Sequence, residues 1–261
     1  MSFVTDVNKE KRRKQKPYDW TEYALIAHAA GQIDGEVYTN SLEAFETSYK
    51  NGHRLFEIDL SITADGKLVA RHGWDALHGQ NFNKEEGPLT YKEFMEVPYY
   101  GKYTPMDFDA LLELLEKYKD IHIVLDGKVS SVKDTEVVYG KVRKALDKSN
   151  QKIVGRLIPQ MFYKEDLAVI RGLGFQDVIY VVGREEYSPE STAKFCAEHG
   201  IGVVSLSGKR TNAEFVQELT HHNIEVYMYT FNEIEKMKPY IKMGVKGFFT
   251  DTVLPHDMKD T

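Results

Sequence analysis

The run Leu55-Phe56-Glu57-Ile58-Asp59-Leu60 sets two acids into an otherwise apolar stretch. Its apolar residues give it the pattern of a buried β-strand. On a strand, residues i and i+2 point to the same side. Glu57 and Asp59 therefore share one face. Two carboxylates so placed repel each other unless a proton or a cation sits between them. A hard divalent cation with oxygen ligands, Mg2+ or Ca2+, fits that arrangement. Shortly afterwards comes the turn Ala64-Asp65-Gly66, and Lys67–His72 reads as the return arm of a short hairpin.

Outward from this stretch, short β-rich runs alternate with longer helical patterns. The predicted strands are Tyr23–His28, Leu55–Leu60, Ile121–Asp126, Arg156–Gln160, Asp177–Val182, Gly202–Leu206, Glu225–Thr230 and Gly247–Thr250. The predicted helices are Ser41–Asn51, Phe108–Tyr118, Lys133–Ser149, Glu165–Leu173, Pro189–His199, Asn212–His222 and Glu233–Met243. Alternation of this kind predicts a parallel sheet of βα units, and eight strands match a (β/α)8 TIM barrel. Asn40 reads as the cap of the first helix, with Glu43 closing a capping box and Gly52 ending it. The segment from His72 to Pro105 breaks the rhythm and is too long for an ordinary loop, so residues 73–105 are expected as an insertion over the barrel mouth. Residues 1–20 read as a polar, basic arm and 21–261 as a single domain.

The chain of 261 residues has 42% hydrophobic and 28% charged residues, an ordinary balance for a domain with a substantial core. A net charge of −6 argues against nucleic-acid binding. The lone cysteine, Cys196, cannot form an internal disulfide, so no oxidising compartment is implied. No run of about 20 apolar residues marks a membrane span, and the polar N-terminus lacks a signal-peptide core. The expected location is cytoplasmic. The basic run Lys9 to Lys16 reads as a solvated arm, or as weak peripheral attachment to anionic lipid headgroups.

In barrel enzymes the reacting groups sit at the C-terminal ends of strands. Those ends carry His28, the Glu57 and Asp59 pair, His72 after the hairpin, and Asp126 followed by Lys128. Asp126 is a candidate third metal ligand, Lys128 a phosphate contact, and His28 and His72 an acid and base bracketing the acids. Each also has a structural reading: a strand-end salt bridge for Asp126 and Lys128, packing for the histidines. Aromatic residues are frequent, with 16 Tyr, 13 Phe and 2 Trp. Trp74, Tyr99, Tyr100 and Tyr103 in the insertion, and Tyr229 and Phe231 near the seventh strand end, read either as a cap core or as a wall for an apolar or quaternary-ammonium group.

These residues carry a resemblance. Ile26-Ala27-His28-Ala29-Ala30-Gly31, Thr39-Asn40-Ser41-Leu42-Glu43-Ala44-Phe45, Glu57-Ile58-Asp59-Leu60, Thr63-Ala64-Asp65-Gly66 and Arg71-His72 follow the order and spacing of the opening signature of glycerophosphodiester phosphodiesterases. The likeness continues at Tyr103-Thr104-Pro105-Met106, Leu125-Asp126-Gly127-Lys128, Tyr229-Thr230-Phe231-Asn232 and Gly244-Val245-Lys246-Gly247-Phe248-Phe249-Thr250-Asp251. It implies a TIM barrel, a small-molecule phosphodiester substrate, lipid-derived or not, and a divalent metal. It further implies His28 and His72 as acid and base, Glu57, Asp59 and Asp126 as metal ligands, and Lys128 as a phosphate contact; from the aromatic pattern, Trp74 and Tyr229 are expected to meet substrate. The chain departs from the pattern at three places: Ala29 stands where the family has arginine, Thr39 and Ser41 alter the motif around Asn40, and Gly73 replaces an acid after the second histidine. Two other readings use the same residues: a phospholipase acting on lysophospholipids or phosphoinositides, and a non-catalytic barrel that binds a phosphorylated ligand.

Overall fold

Strand burial on both faces builds the centre of the molecule, since a parallel sheet covered by helices leaves its strands no wet side. The structure is a computed structural model and describes residues 20–147, 151–185 and 187–260. The arm expected over residues 1–20, with its basic run, lies outside the described residues except for Trp20. The strands are β1 (Leu25–Ala27), β2 (Leu55–Ile62), β3 (Leu68–Ala70), β4 (His122–Asp126), β5 (Leu157–Met161), β6 (Ile179–Val181), β7 (Val203–Ser207), β8 (Glu225–Tyr229) and β9 (Gly247–Thr250). Eight of them are parallel in the order β1-β9-β8-β7-β6-β5-β4-β2, and β1 pairs with β2 to close the ring. The predicted (β/α)8 barrel is therefore present, with strand bounds within a residue or two of the sequence reading. Closure depends on Gly247, because a Cβ there would run into the Ala24 carbonyl just ahead of the neighbouring strand β1.

Helices α1 (Leu42–Lys50), α2 (Tyr91–Glu96), α3 (Phe108–Lys117), α4 (Val132–Leu146), α5 (Asp166–Gly172), α6 (Pro189–His199), α7 (Ala213–His221) and α8 (Ile234–Met243) follow the chain. All but α2 were expected; α4 ends at Leu146, and the predicted end at Ser149 lies outside the described residues. α3 shows why these segments coil. Phe108, Leu111, Leu112 and Leu115 recur at helical spacing and are buried, and Asp107 caps the start by accepting the Ala110 N–H at 2.8 Å. Truncating one such leucine to alanine costs about 2–5 kcal/mol.

One cap was misplaced by the sequence reading. Ser41, not Asn40, caps α1, its hydroxyl accepting the Ala44 N–H. Asn40 instead has a left-handed backbone, φ 48°, and its side chain is engaged elsewhere.

The insertion grows from the hairpin in which β3 runs antiparallel to β2, with Leu60 opposite Ala70. It carries α2 and a hydrophobic cluster of its own, with Val69, Phe94, Tyr99 and Tyr103 at the centre and Trp74, Leu89, Tyr91 and Met95 around them. Trp74 donates its indole N–H to the Ile62 carbonyl at 2.9 Å and lies edge-on to Phe82 and Phe94. Hydrogen-bonding to the hairpin and contact with other rings hold Trp74 within the insertion, and it is not among the residues that line the cavity described below.

Candidate active site

Pairing of β2 with β4 sets the site. Register places Asp59 opposite Asp126, so alternating side chains bring Glu57, Asp59 and Asp126 to one end of the barrel. One oxygen of each lies within 4.8 Å of the others. Glu57 and Asp59 are fully buried, whereas Asp126 keeps some exposure. Lys128 turns back over them with φ 46°; its ammonium lies 2.6 Å from Asp59 Oδ1 and 2.6 Å from Asp126 Oδ2.

Asn40 supports this cluster from the start of α1. Its amide donates to Asp59 Oδ2 at 2.8 Å, and its carbonyl oxygen accepts the Asp59 N–H at 3.0 Å. The Ala29 N–H donates to Glu57 Oε2 at 2.8 Å. His28, at the end of β1, shares a 2.7 Å hydrogen bond through Nδ1 with Asp251 Oδ1 and has Nε2 4.0 Å from Glu57. Asn232 fixes Asp251 in turn, donating to Oδ2 at 2.7 Å and accepting the Asp251 N–H at 2.8 Å. His72 stands beyond Tyr38, whose ring meets both histidines edge-on at centroid distances of 4.9 and 5.3 Å. His78 packs against His72 at 4.9 Å.

The electrostatics follow from crowding acids in a dry place. Burial, then the charge of Asp59, pushes Glu57 well above the carboxylate range, to about 8. Burial acts the same way on Asp59 but is outweighed by Lys128 and the two histidines, so its carboxyl is held down. Burial disfavours the His28 cation, yet the Asp251 hydrogen bond and the Glu57 and Asp59 charges raise it to about 9. Lys128 is likewise raised, by Asp126 and Asp59 against burial.

These residues suit a divalent cation. The donors are three hard carboxylates, and a cation, the Lys128 ammonium, already stands between two of them. Burial first, and then the Asp59 charge, keeps Glu57 raised even with that ammonium in place.

A cavity of about 400 Å3 opens beside the cluster. His28, Glu57, His72, Asp126, Lys128 and Tyr229 line it, and Asp59 lies just behind. Phe231 is not part of its wall and packs instead against Tyr240 and Phe248. Other lining residues went unremarked in the sequence: Tyr38, Phe162, Arg184 and Arg210. Asp251 was legible in principle, since it follows a strand end by the same rule that exposed Asp126. Tyr38 and the arginines sit on loops and carry no such signal.

Comparison with known proteins adds to this geometry. The family model described as the Glycerophosphoryl diester phosphodiesterase family matches residues 30–254. A lysophospholipase D of Mus musculus is 26% identical over 271 residues, spanning 90% of this chain and 84% of that one. A glycerophosphodiester phosphodiesterase of Bacillus subtilis (strain 168) is 24% identical over 251 residues, spanning 87% and 82% respectively. The solved structure of an Oleispira antarctica phosphodiesterase in complex with the product sn-glycerol-3-phosphate shares the fold, with a TM-score of 0.72 and 15% identity over 91% of this chain and 96% of that one.

Proposed function

The chain belongs to the glycerophosphoryl diester phosphodiesterase family, a family of phosphodiester hydrolases, and from that premise we propose that it cleaves a glycerophosphodiester to an alcohol and glycerol phosphate, with a divalent cation, Mg2+ or Ca2+, on Glu57, Asp59 and Asp126 and with His28 and His72 moving the protons. The observation that carries this reading is the meeting of both histidines and the carboxylate cluster on one cavity.

The chemistry needs a base, an acid and positive charge. A glycerol hydroxyl next to the phosphodiester attacks phosphorus and gives its proton to one histidine. The bond from phosphorus to the alcohol breaks, and the other histidine protonates the departing oxygen. Water then opens the cyclic phosphate with the proton roles exchanged, leaving glycerol phosphate. A cation held by Glu57, Asp59 and Asp126 would lower the pKa of the attacking hydroxyl and offset the phosphate charge. Asp251 keeps His28 turned so that Nε2 faces the cluster. Lys128 supplies a fixed positive charge at the cavity wall, where Ala29 provides none. The Oleispira antarctica relative, whose product is sn-glycerol-3-phosphate, supports the choice of substrate class.

The test is release of glycerol phosphate by the parent, by His28→Ala and by His72→Ala, with and without chelator. Each substitution is expected to lower the rate roughly 10² to 10⁴-fold, and chelator to abolish turnover. A parent that turns over with both variants near its own rate removes the histidine roles; full activity in excess chelator removes the cation.

A further inference from the structure

Two cavity-lining cations play no part in this chemistry. Arg184 lies three residues past the end of β6, and Arg210 three residues past the end of β7. In the closed strand order β6 stands across the ring from β1, which leads directly into His28, and β7 across from β2, which bears Glu57 and Asp59. The arginines therefore face the catalytic residues from the far side of the mouth.

Their partners are neutral. Arg184 donates to the Val129 carbonyl at 2.7 Å and lies 4.5 Å over the Phe162 ring. Arg210 donates to Ser207 Oγ at 3.2 Å and to the Gly183 carbonyl at 3.3 Å, and hydrogen-bonds with Tyr229. Among the described residues neither guanidinium pairs with a carboxylate, so both charges are uncompensated on the cavity side. Gly183 makes room for this, because a Cβ there would strike the Arg210 guanidinium.

We propose that Arg184 and Arg210 form a subsite for a second anionic group of the substrate, a phosphate or carboxylate borne by the alcohol that leaves. This rests on the hydrolase reading above. The attacking glycerol hydroxyl belongs beside the acids and one histidine, in-line displacement puts the departing oxygen opposite it within reach of the other histidine, and the body of the leaving alcohol beyond that oxygen extends towards β6 and β7. Guanidinium binds phosphate or carboxylate through paired N–H donors. A quaternary ammonium group would meet two like charges at this wall.

Matched substrates test the subsite. Glycerophosphoinositol and its 4-phosphate differ by one phosphate; glycerophosphoethanolamine and glycerophosphoserine differ by one carboxylate. The parent is expected to favour the more anionic member of at least one pair by about tenfold in kcat/KM, chiefly through KM, as a bidentate charged contact allows. Which pair shows the preference identifies the anion. Arg184→Gln, Arg210→Gln and Gly183→Ala are each expected to bring the ratio towards parity. A parent ratio near one, a ratio preserved in the variants, or equal losses on both members of a pair overturns the subsite; the last outcome assigns the arginines to the scissile phosphate. If the parent cleaves none of the four, the hydrolase reading fails, and calorimetric binding of inositol 1,4-bisphosphate against inositol 1-phosphate decides the subsite separately. Tighter binding of the bisphosphate that the arginine variants lose upholds it, and equal binding of the two overturns it.

Discussion

His28 is half-buried and His53 buried, and their proton affinities move in opposite directions. At His28 the desolvation is outweighed by Asp251, Glu57 and Asp59, and the ring is held towards its charged form, at about 9. At His53 desolvation dominates, the Val253 backbone bond only partly opposes it, Arg54 adds to it, and the group falls to about 4. His53 sits at the start of β2, far from the chemistry, with Nδ1 unsatisfied. Its contribution to stability has a definite sign. Because the folded value lies below the ordinary 6.5, the unfolded chain binds the proton more readily, and stability falls as pH drops from about 6.5 towards about 4. The full loss is on the order of 3 kcal/mol. His53→Gln cannot take up that proton, so its urea unfolding free energy should fall less than the parent's between about pH 7 and about pH 4.5. Parallel losses in the two proteins would show that His53 does not drive the acid sensitivity. Ala29 is a second case where residue identity matters: it is fully buried against the cluster, so an arginine placed there would have to displace packed neighbours before reaching a phosphate.

Between elements, the start of α1 and the strand β2 are joined by Asn40. Its two hydrogen bonds to Asp59 aim one carboxylate, and its φ of 48° is a conformation asparagine tolerates better than most residues. Asn40→Gly accepts the same φ but removes both bonds, which separates the supporting role from backbone strain. Divalent-cation affinity should weaken roughly 10 to 100-fold, the usual effect of losing a partner that orients a ligand, as read by calorimetric titration. Unchanged affinity would mean that Asp59 needs no such support. Asn40 also marks where sequence reasoning stops. Asn and Ser are both good caps, and the choice between Asn40 and Ser41 was made by a contact to a residue far along the chain. The barrel strands were legible because burial on both faces leaves an apolar signature, and Glu57, Asp59 and Asp126 because acids interrupt it. Trp74 looked no different from Tyr229 in sequence; one ring packs on the insertion's own cluster and the other, at the end of β8, lines the cavity. Arg184 and Arg210 were hidden because a basic residue in a loop ordinarily means solvent.

At the scale of the molecule, the ring closes where its ends meet. β1 pairs with β9 on one side and β2 on the other, the Tyr227 hydroxyl donates to the Tyr23 carbonyl at 2.7 Å, and His28 bonds Asp251 across the same seam. The carboxylate cluster lies next to this closure, so a cation that gathers Glu57, Asp59 and Asp126 ties β2 to β4 in the folded state and finds no such site in the unfolded chain. Binding to the folded state alone stabilises by about 2.7 kcal/mol at a hundredfold excess over Kd. For a domain of this size each kcal/mol moves the melting temperature by about 2–4 °C. Mg2+ or Ca2+ added to chelator-treated protein should therefore raise Tm by roughly 5–10 °C. Glu57→Gln gives a signature of its own. Burial and Asp59 already disfavour the Glu57 charge, so a neutral isostere in chelator should melt no lower than the parent, while the rise on adding cation should shrink or vanish. Thermal unfolding of both proteins with chelator, Mg2+ and Ca2+ checks this. A parent Tm that no divalent ion moves would mean that the Lys128 ammonium, and not a metal, is the resident cation of the cluster.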